Sequence, residues 1–304
     1  MKPMADFLDN GICVFGEVLF DHFPDGSRVL GGAPFNVAWH LQAMGHSPYF
    51  ISRVGRDAEG ETVREAMRDW GMQLTGLQTD RHRATGLVRV SLVEGEPRYD
   101  IVEDCAYDAI DMPALERCGL LYHGSLAARS AASASALQRL RKLDPALIFI
   151  DVNLRPPWWQ RSRLEDMLHG AHWVKLNDDE LVKLQGSDVS ASDRAREFMA
   201  HYGLQGLVVT HGAAGAEILL ADGERVYVET EAGVDVVDTV GAGDAFAAVM
   251  IVGLAAHWPA ALILERAQRF AAAIVGRRGA TVADRAFYRE FLEEWGLADP
   301  PVVV

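Results

Sequence analysis

The sequence predicts an α/β fold with a mainly parallel central sheet covered by helices on both faces. Near-continuous apolar segments of strand length alternate with segments whose apolar residues recur at helical spacing, and this alternation is typical of such sheets. A length of 304 residues is enough for one large domain with a sizeable core. The predicted strands are 12–20, 47–55, 147–153, 173–177, 207–212, 216–221 and 224–230. The predicted helices are 34–44, 60–71, 132–142, 178–185 and 192–202.

One segment departs from this rhythm. Residues 85–102, TGLVRVSLVEGEPRYDIV, alternate apolar and polar side chains around a turn at 94–97. This pattern predicts a β-hairpin with one solvent-exposed face. A hairpin set on an α/β body suggests a lid. We therefore expect a single domain, residues 1–304, that carries a small lid.

The composition excludes several classes of protein. The formal net charge is −14 and no basic run occurs, which argues against a nucleic-acid partner. The three cysteines, Cys13, Cys105 and Cys118, are widely spaced and form no CxxC motif, so we expect buried reduced thiols. The N-terminal sequence MKPMADFLDNG lacks the apolar core of a signal peptide. We expect a cytoplasmic protein.

The segment 245–264 is long and apolar enough to raise the question of a membrane span, since its one ionisable residue is His257. Pro259 and the polar His257–Trp258 step interrupt the segment. We therefore predict a buried helix, a turn at 257–259 and a second helix, with no membrane partner.

The motif DTVGAGDAF (238–246) places a glycine turn at the start of a predicted helix. Unpaired N–H groups and the helix dipole make such a turn an anion site. Asp244 follows directly, and a carboxylate beside a phosphate makes sense as the base that deprotonates an attacking hydroxyl. From spacing alone, an acid that merely stabilises its own helix remains an alternative. No GK[ST] and no GxGxxG follow, so the motif is neither a Walker A loop nor the fingerprint of a nicotinamide oxidoreductase.

A second motif, GGAPFNVAWHLQAMG (31–45), combines two glycines with Pro34 near a helix start and Asn36 in the first turn. Bare backbone and a side-chain amide suit a ligand with many hydroxyl groups. A simple glycine turn with proline at the first helical position is the alternative.

Together, GGAPFNVAWHLQAMG, the following VGRDAEG (54–60) and DTVGAGDAF resemble the two signatures of the ribokinase/PfkB carbohydrate kinase family, in the same order and context. The resemblance covers essentially the whole chain. It implies a ribokinase-like fold whose lid is formed by about 16–32 and 85–107. It also implies transfer of the γ-phosphoryl group of ATP to a sugar hydroxyl with Mg²⁺.

The resemblance also implies roles for individual residues. Asp244 would be the catalytic base, and the anion hole would comprise Gly241, Ala242 and Gly243. DVNLRPPWW (151–159) and TGLVRVSLVEGEPRYDI (85–101) look like the fructokinase branch of the family. The sugar-binding residues would be Asp21, Gly32, Asn36, Tyr99 and Arg155. For three of them the alternatives are a surface acid (Asp21), a cross-strand aromatic partner (Tyr99) and an exposed loop arginine (Arg155).

On the nucleotide side, KLNDDELVKL (175–184) matches the family's Asn-x-x-Glu element, with Asn177 near the nucleotide and Glu180 reaching Mg²⁺ through water. A capping box is the alternative, and both can hold at once. VVTHGAAGA (208–216) and AQRFAAAIVGRRGAT (267–281) match the phosphate-side and adenine-side segments. The implied nucleotide-binding residues there are Thr210, Gly212, Gly215, Gln268 and Ala272. A potassium ion, if used, would lie near Asp238, Arg277 and Gly279.

We therefore expect an ATP-dependent sugar kinase, with fructose to fructose 6-phosphate as the leading reaction and a homodimer formed through the lid. Other acceptors stay open: 2-keto-3-deoxygluconate, ribose or a nucleoside. An alternative of another class is a non-catalytic regulatory protein that binds sugar or nucleotide. The presence of Asp244 argues against it.

Overall fold

Two β-sheets organise the chain, and the computed structural model describes residues 11–93, 96–186, 190–230 and 235–297 of it. In chain order, the strands of the described residues are β1 (Ile12–Phe15), β2 (Leu19–His22), β3 (Arg28–Gly31), β4 (Tyr49–Gly55), β5 (Leu77–Asp80), β6 (Gly86–Val93), β7 (Glu96–Ile101), β8 (Leu120–His123), β9 (Leu147–Asp151), β10 (Trp173–Asn177), β11 (Gly206–Thr210), β12 (Ala216–Leu220) and β13 (Arg225–Val228).

The larger sheet is mainly parallel, as predicted. Its strand order is β13-β12-β11-β10-β9-β8-β1-β4-β5. Every neighbouring pair is parallel except β11–β12 and β12–β13, which form an antiparallel edge. The carboxyl ends of the parallel strands therefore lie together at one edge of the sheet.

The second, smaller sheet has the order β3-β2-β6-β7. It joins two antiparallel hairpins, β2–β3 and β6–β7, through the parallel pair β2–β6. The predicted hairpin is thus present, as one half of a four-stranded sheet. Of the predicted turn at 94–97, residues 94–95 lie outside the described residues.

Helices cover both faces of the larger sheet. They are α1 (Ala33–Ala43), α2 (Ala58–Asp69), α3 (Ala131–Arg141), α4 (Arg161–Leu168), α5 (Asp178–Gln185), α6 (Ala191–Tyr202), α7 (Ala242–Ala255), α8 (Ala260–Val275) and α9 (Arg285–Glu294). Each predicted helix is confirmed, with ends that differ by no more than one or two residues. Side chains fix several of the starts: Asp57 accepts a hydrogen bond from Gly60 N–H before α2, and Ser130 from Ser133 N–H before α3.

Each face of the larger sheet buries its own core. Successive strand side chains point to opposite faces, so Phe149 of β9 lies in one core and Ile148 and Ile150 in the other. The first core packs α1, α2, α7, α8 and α9, and the second packs α3 to α6.

The prediction of one strand over 12–20 is wrong. Two strands, β1 and β2, belong to different sheets, and the break falls at 16–18. A Cβ at Gly16 would lie 2.3 Å from Pro34 Cγ, so only glycine lets the chain turn so close to the start of α1. The apolar pattern runs through this break and conceals it.

Residues 242–275 confirm the predicted pair of helices, α7 and α8, separated by a turn that contains His257 and Trp258. Among the described residues, no helix combines the length and the hydropathy that a membrane span requires. The N-terminal residues 1–10 lie outside the described residues.

Candidate active site

The polar residues of the site lie at the carboxyl edge of the larger sheet. β9 ends at Asp151, β10 at Asn177 and β11 at Thr210, and Asn177 and Thr210 are register partners. Ligands of open α/β sheets bind outside this edge. The strand ends therefore place Asp151 and two predicted nucleotide-side residues, Asn177 and Thr210, where such a fold binds its substrates.

A hydrogen bond joins the two sequence motifs. Asn36 Nδ2 donates to Asp244 Oδ2 at 2.7 Å, across a separation of 208 residues in the chain. Asn36 is buried in the first turn of α1, and Asp244 is partly exposed in the first turn of α7. Asn36 Oδ1 has no hydrogen-bond partner among the described residues, so the amide keeps an acceptor.

The environment of Asp244 suits a base. Burial raises the pKa of this carboxyl to about 6, and the charge of Asp151 raises it too. The hydrogen bond from Asn36 and the charges of Lys175 and Arg155 lower the same pKa. A carboxylate with a pKa near the operating pH can accept a proton while remaining mostly ionised.

The glycine turn before Asp244 is held by close packing. Gly241 has φ of 81° and precedes α7, with no side chain capping the helix start. A Cβ there would lie 2.4 Å from Ala280 Cα, so the position requires glycine on two grounds. The side chains around 241–243 are small, which leaves the helix start open to an anion.

The small sheet brings Asp21 towards this region. A Cβ on Gly31 would lie 3.9 Å from Asp21 Oδ2 and 4.0 Å from Asn36 Oδ1, so the two oxygens flank one side-chain-free space. Burial raises the pKa of Asp21 to about 6, and the charges of Arg155 and His22 lower it. Arg155 is thus within electrostatic reach of both Asp21 and Asp244.

Tyr99 shares the face of the small sheet that carries Asp21. Asp21 is the register partner of Val88, and Tyr99 is the register partner of Val90. The side chains at positions 88 and 90 of β6 point to the same face of the sheet. Tyr99 is 51% exposed.

Gly32 lies in a closely packed position that requires glycine. It precedes α1 with φ of 110°, and a Cβ there would lie 2.7 Å from the carbonyl oxygen of Glu17. The glycine thereby lets α1 begin directly against the break between β1 and β2.

Asn177 and Glu180 form the capping box that the sequence left open. Asn177 Oδ1 accepts from Glu180 N–H at 2.9 Å, and Glu180 Oε2 accepts from Asn177 N–H at 3.0 Å. Glu180 Oε1 also accepts from Leu154 N–H at 2.6 Å. Burial raises the pKa of Glu180, against the lowering effect of the Asn177 N–H. Both carboxylate oxygens are therefore engaged by backbone N–H groups.

The other nucleotide-side residues occupy two places. Thr210 ends β11, and Gly215, where a Cβ would lie 2.0 Å from Val228 O, closes the following loop that begins with Gly212. Gln268 and Ala272 lie one turn apart in α8, and Gln268 Nε2 donates to Thr230 Oγ1 at 2.8 Å.

The predicted cation-site residues also come together. Asp238 Oδ2 accepts from Gly279 N–H at 3.1 Å, and its Oδ1 accepts from Val240 N–H at 3.0 Å. Arg277 instead lies over the ring of Phe287, with its Cζ 4.5 Å from the ring centroid.

Comparison with known proteins places these motifs in a family. The model of the pfkB family carbohydrate kinases matches residues 10–285. The chain belongs to the pfkB family. It is an ATP-dependent carbohydrate kinase with a ribokinase-like fold.

Relatives of this pfkB family kinase differ in their named substrates. A fructokinase of Klebsiella pneumoniae is 32% identical over 268 residues, covering 82% of this chain and 86% of the relative. An aminoimidazole riboside kinase of Salmonella typhimurium is 29% identical over 277 residues, covering 84% and 85%. The structure of Vibrio cholerae fructokinase with fructose, ADP and a calcium ion has a TM-score of 0.80 at 25% identity, and the match covers 94% of this chain and 99% of that one.

Sequence reasoning missed two charged residues of this kinase. Lys175 is buried in the middle of β10, and Glu17 is buried at the break between β1 and β2. Burial raises the pKa of Glu17 to about 7, against the lowering effect of its own backbone N–H. In both cases the available signal was a charge inside an otherwise apolar segment, WVKLN and FGEVLF. Charged side chains are rarely buried unless they have a charged or hydrogen-bonding partner or a functional role.

Proposed function

We propose that this kinase transfers the γ-phosphoryl group of ATP to fructose and forms fructose 6-phosphate. The observation that carries the proposal is the 2.7 Å hydrogen bond between Asn36 and Asp244. It links the start of α1, whose polar groups face the space beside Asp21, to the start of α7, which is open to an anion. A sugar hydroxyl and a phosphate can therefore meet at Asp244. The fructokinase names of the relatives support fructose as the acceptor.

In the proposed reaction Asp244 accepts the proton of the attacking hydroxyl. The hydroxyl oxygen forms a bond to the γ-phosphorus, and the bond from that phosphorus to the β–γ bridging oxygen breaks, so ADP leaves. N–H groups at the turn Gly241, Ala242 and Gly243 hold the charge of the transferred group. Asp21, Gly32, Asn36, Tyr99 and Arg155 orient the sugar, and closure of the small sheet as a lid would exclude water.

ATP would lie along the carboxyl edge, its phosphates near Asn177, Thr210, Gly212 and Gly215 and its adenine near Gln268 and Ala272. Both oxygens of Glu180 already accept backbone N–H groups, which suits a hydrated Mg²⁺ held through water. Mg²⁺ would neutralise phosphate charge there. Asp238 and Gly279 bring two segments together, and we propose this place for a potassium ion.

Two further expectations belong to this proposal. Val29 and Tyr99 lie on one face of the small sheet and are 37% and 51% exposed, which supports a homodimer in which a second lid covers that face. Cys13, Cys105 and Cys118 are buried and unpaired, as suits a cytoplasmic enzyme.

A panel assay of ADP release tests the proposal. Wild type and Asp244→Ala are incubated with ATP, Mg²⁺ and one acceptor at a time: fructose, ribose, 2-keto-3-deoxygluconate or a nucleoside. We expect turnover on fructose that is lost in Asp244→Ala, with the phosphate on O6 by ³¹P–¹H NMR. Turnover on another acceptor alone would replace fructose. Full turnover by Asp244→Ala would remove that residue as the base, and ATP binding without any turnover would favour the regulatory alternative.

A further inference from the structure

A buried ion pair lies directly behind the glycine turn. Lys175 Nζ donates to Asp151 Oδ2 at 2.7 Å, and the side chains are 7% and 6% exposed. The two residues are register partners on β10 and β9, so the strands themselves hold the charges side by side. Buried ion pairs contribute little net stability compared with apolar residues of similar volume. This pair therefore invites a reason other than stability.

The ammonium end of the pair faces the turn. A Cβ placed on Gly243 would lie 3.3 Å from Lys175 Nζ, and within 4 Å no atom of the carboxylate of Asp151 approaches it. An ammonium has three N–H donors, and the one side-chain hydrogen bond of Lys175 among the described residues goes to Asp151. The positive end of the pair thus points at the start of α7, and Asp151 holds it there.

The charges around the turn need such a group. Burial lowers the pKa of the Lys175 ammonium, but the carboxylates of Asp151, Asp244 and Glu180 raise it, and the net shift of the pKa is upward. A phosphate brought to the turn would be repelled by these negative charges. A fixed ammonium behind the turn offsets them without reaching into the space that the phosphate would occupy. Fixed charges in a water-poor site act more strongly than the same charges in water.

We propose that Lys175 is a positioning residue for phosphoryl transfer. Its ammonium, aimed by Asp151, supplies positive charge through the turn at Gly243 and lets the transferred phosphoryl group lie beside the ionised Asp244. The inference rests on the proposed function, in which Asp244 is the base and the phosphate lies at this turn. A purely structural ion pair would have the same bond but no effect on the chemical step.

Removal of the pair in two ways separates the two roles. Lys175→Met leaves Asp151 buried and unpaired, whereas Asp151→Asn/Lys175→Met removes both charges and leaves side chains of similar size. Lys142→Met, at an exposed lysine after α3, is the matched control. Asp244→Ala is assayed in parallel as the separate test of the site. For each variant, kcat and the KM values for fructose and ATP are measured together with Tm.

We expect Lys175→Met to lower kcat by about 10- to 100-fold and to lower Tm. The double variant should recover Tm while kcat stays at least tenfold low, with both KM values within about threefold of wild type. A double variant whose kcat returns to within about threefold of wild type would overturn the inference. If Asp244→Ala loses activity in that same experiment, the proposed site survives without Lys175.

A charge-preserving variant provides a second test that does not depend on the folding of the neutral pair. Lys175→Arg keeps a positive charge that can bond Asp151, and we expect it to retain at least about fivefold more kcat than Lys175→Met. Equal losses in the two single variants would show that the charge is not what matters. Full activity of Asp244→Ala would overturn the site itself, and the inference with it.

Discussion

The two sides of the proposed sugar-binding space are built differently. On the body side, the residues Asn36, Asp151 and Lys175 are all buried. Asn36 lies on α1, Asp151 ends β9, and Lys175 lies in the middle of β10. On the side of the small sheet, Asp21 is half-buried and Tyr99 is 51% exposed. Groups on rigid, buried elements are held to the accuracy that bond-making chemistry needs, whereas an open sheet can move to admit and cover a ligand. From this difference we expect the chemical step to depend mainly on the body and sugar affinity to depend mainly on the small sheet.

The largest expected effect comes from Asp244→Asn on the body side. The substitution keeps the size of the side chain but removes the base, so we expect kcat to fall by about 10²- to 10⁴-fold. The dissociation constant for fructose, measured by calorimetry, should stay within about threefold of wild type. Asp284→Asn, at the exposed cap of α9, is the control, because Asn caps a helix as well as Asp does. A large loss of fructose affinity in Asp244→Asn would mean that Asp244 contributes to sugar binding as well as to the chemical step.

Glu17 lies in the segment between β1 and β2, which connects the two sheets, and it should make the free energy of unfolding depend on pH. The pKa of Glu17 in the folded protein, about 7, lies above its ordinary value of 4.5. The contribution of the neutral carboxyl to the free energy of unfolding is therefore fully present below about pH 4.5 and is lost as pH rises through 7. Glu17→Gln stays neutral throughout. We expect the stability of Glu17→Gln relative to wild type to increase by about 3 kcal/mol between pH 4.5 and 8. The measurement is Tm of both proteins at each pH.

Exposed Glu116→Gln serves as the control for that experiment, and it should show the same difference from wild type at both pH values. If the stability of Glu17→Gln relative to wild type were also the same at both pH values, burial would not raise the pKa of Glu17. The buried carboxyl would then titrate as an ordinary acid.

Part of this architecture could be predicted from local sequence. Helical and strand periodicity gave the α/β class and the helices, because apolar spacing records which face is buried. The motifs gave Asp244 and Asn36 one at a time, each with a plain structural alternative. Their 2.7 Å contact could not be predicted, because it depends on how α1 and α7 pack across the fold.

Three other features could not be predicted from sequence patterns. The break at Gly16 is set by contact with Pro34, which apolar patterning does not record. Strand β8 spans four residues, too few for a period to show. Lys175 drew no interpretation because its partner, Asp151, is defined by strand register, which is a property of the sheet rather than of the segment. Nonlocal contacts and short element length thus account for the features that sequence patterns did not predict.

On the small-sheet side, Asp21→Asn should act mainly on affinity. A hydrogen bond to a charged group is worth about 1.5–3 kcal/mol, so we expect KM for fructose to rise about 10- to 100-fold while kcat changes less than about fivefold. Asp25→Asn, in the exposed turn of the same sheet, is the matched control. A fall in kcat as large as that of Asp244→Asn would give the small sheet a part in the chemical step.

The smallest effect is expected for Tyr99→Ala. Half of this ring is already exposed, so its remaining contact with a sugar or a closed lid should be worth about 1 kcal/mol. That value corresponds to a rise of about two- to fivefold in KM for fructose, with kcat unchanged. Steady-state kinetics measured alongside Tyr99→Phe shows whether ring or hydroxyl matters. A rise beyond about tenfold would mean that Tyr99 is buried when the sugar is bound, because only a buried ring could supply so much. The small sheet would then close as tightly as the body is packed, and the contrast between the two sides would hold for the open form alone.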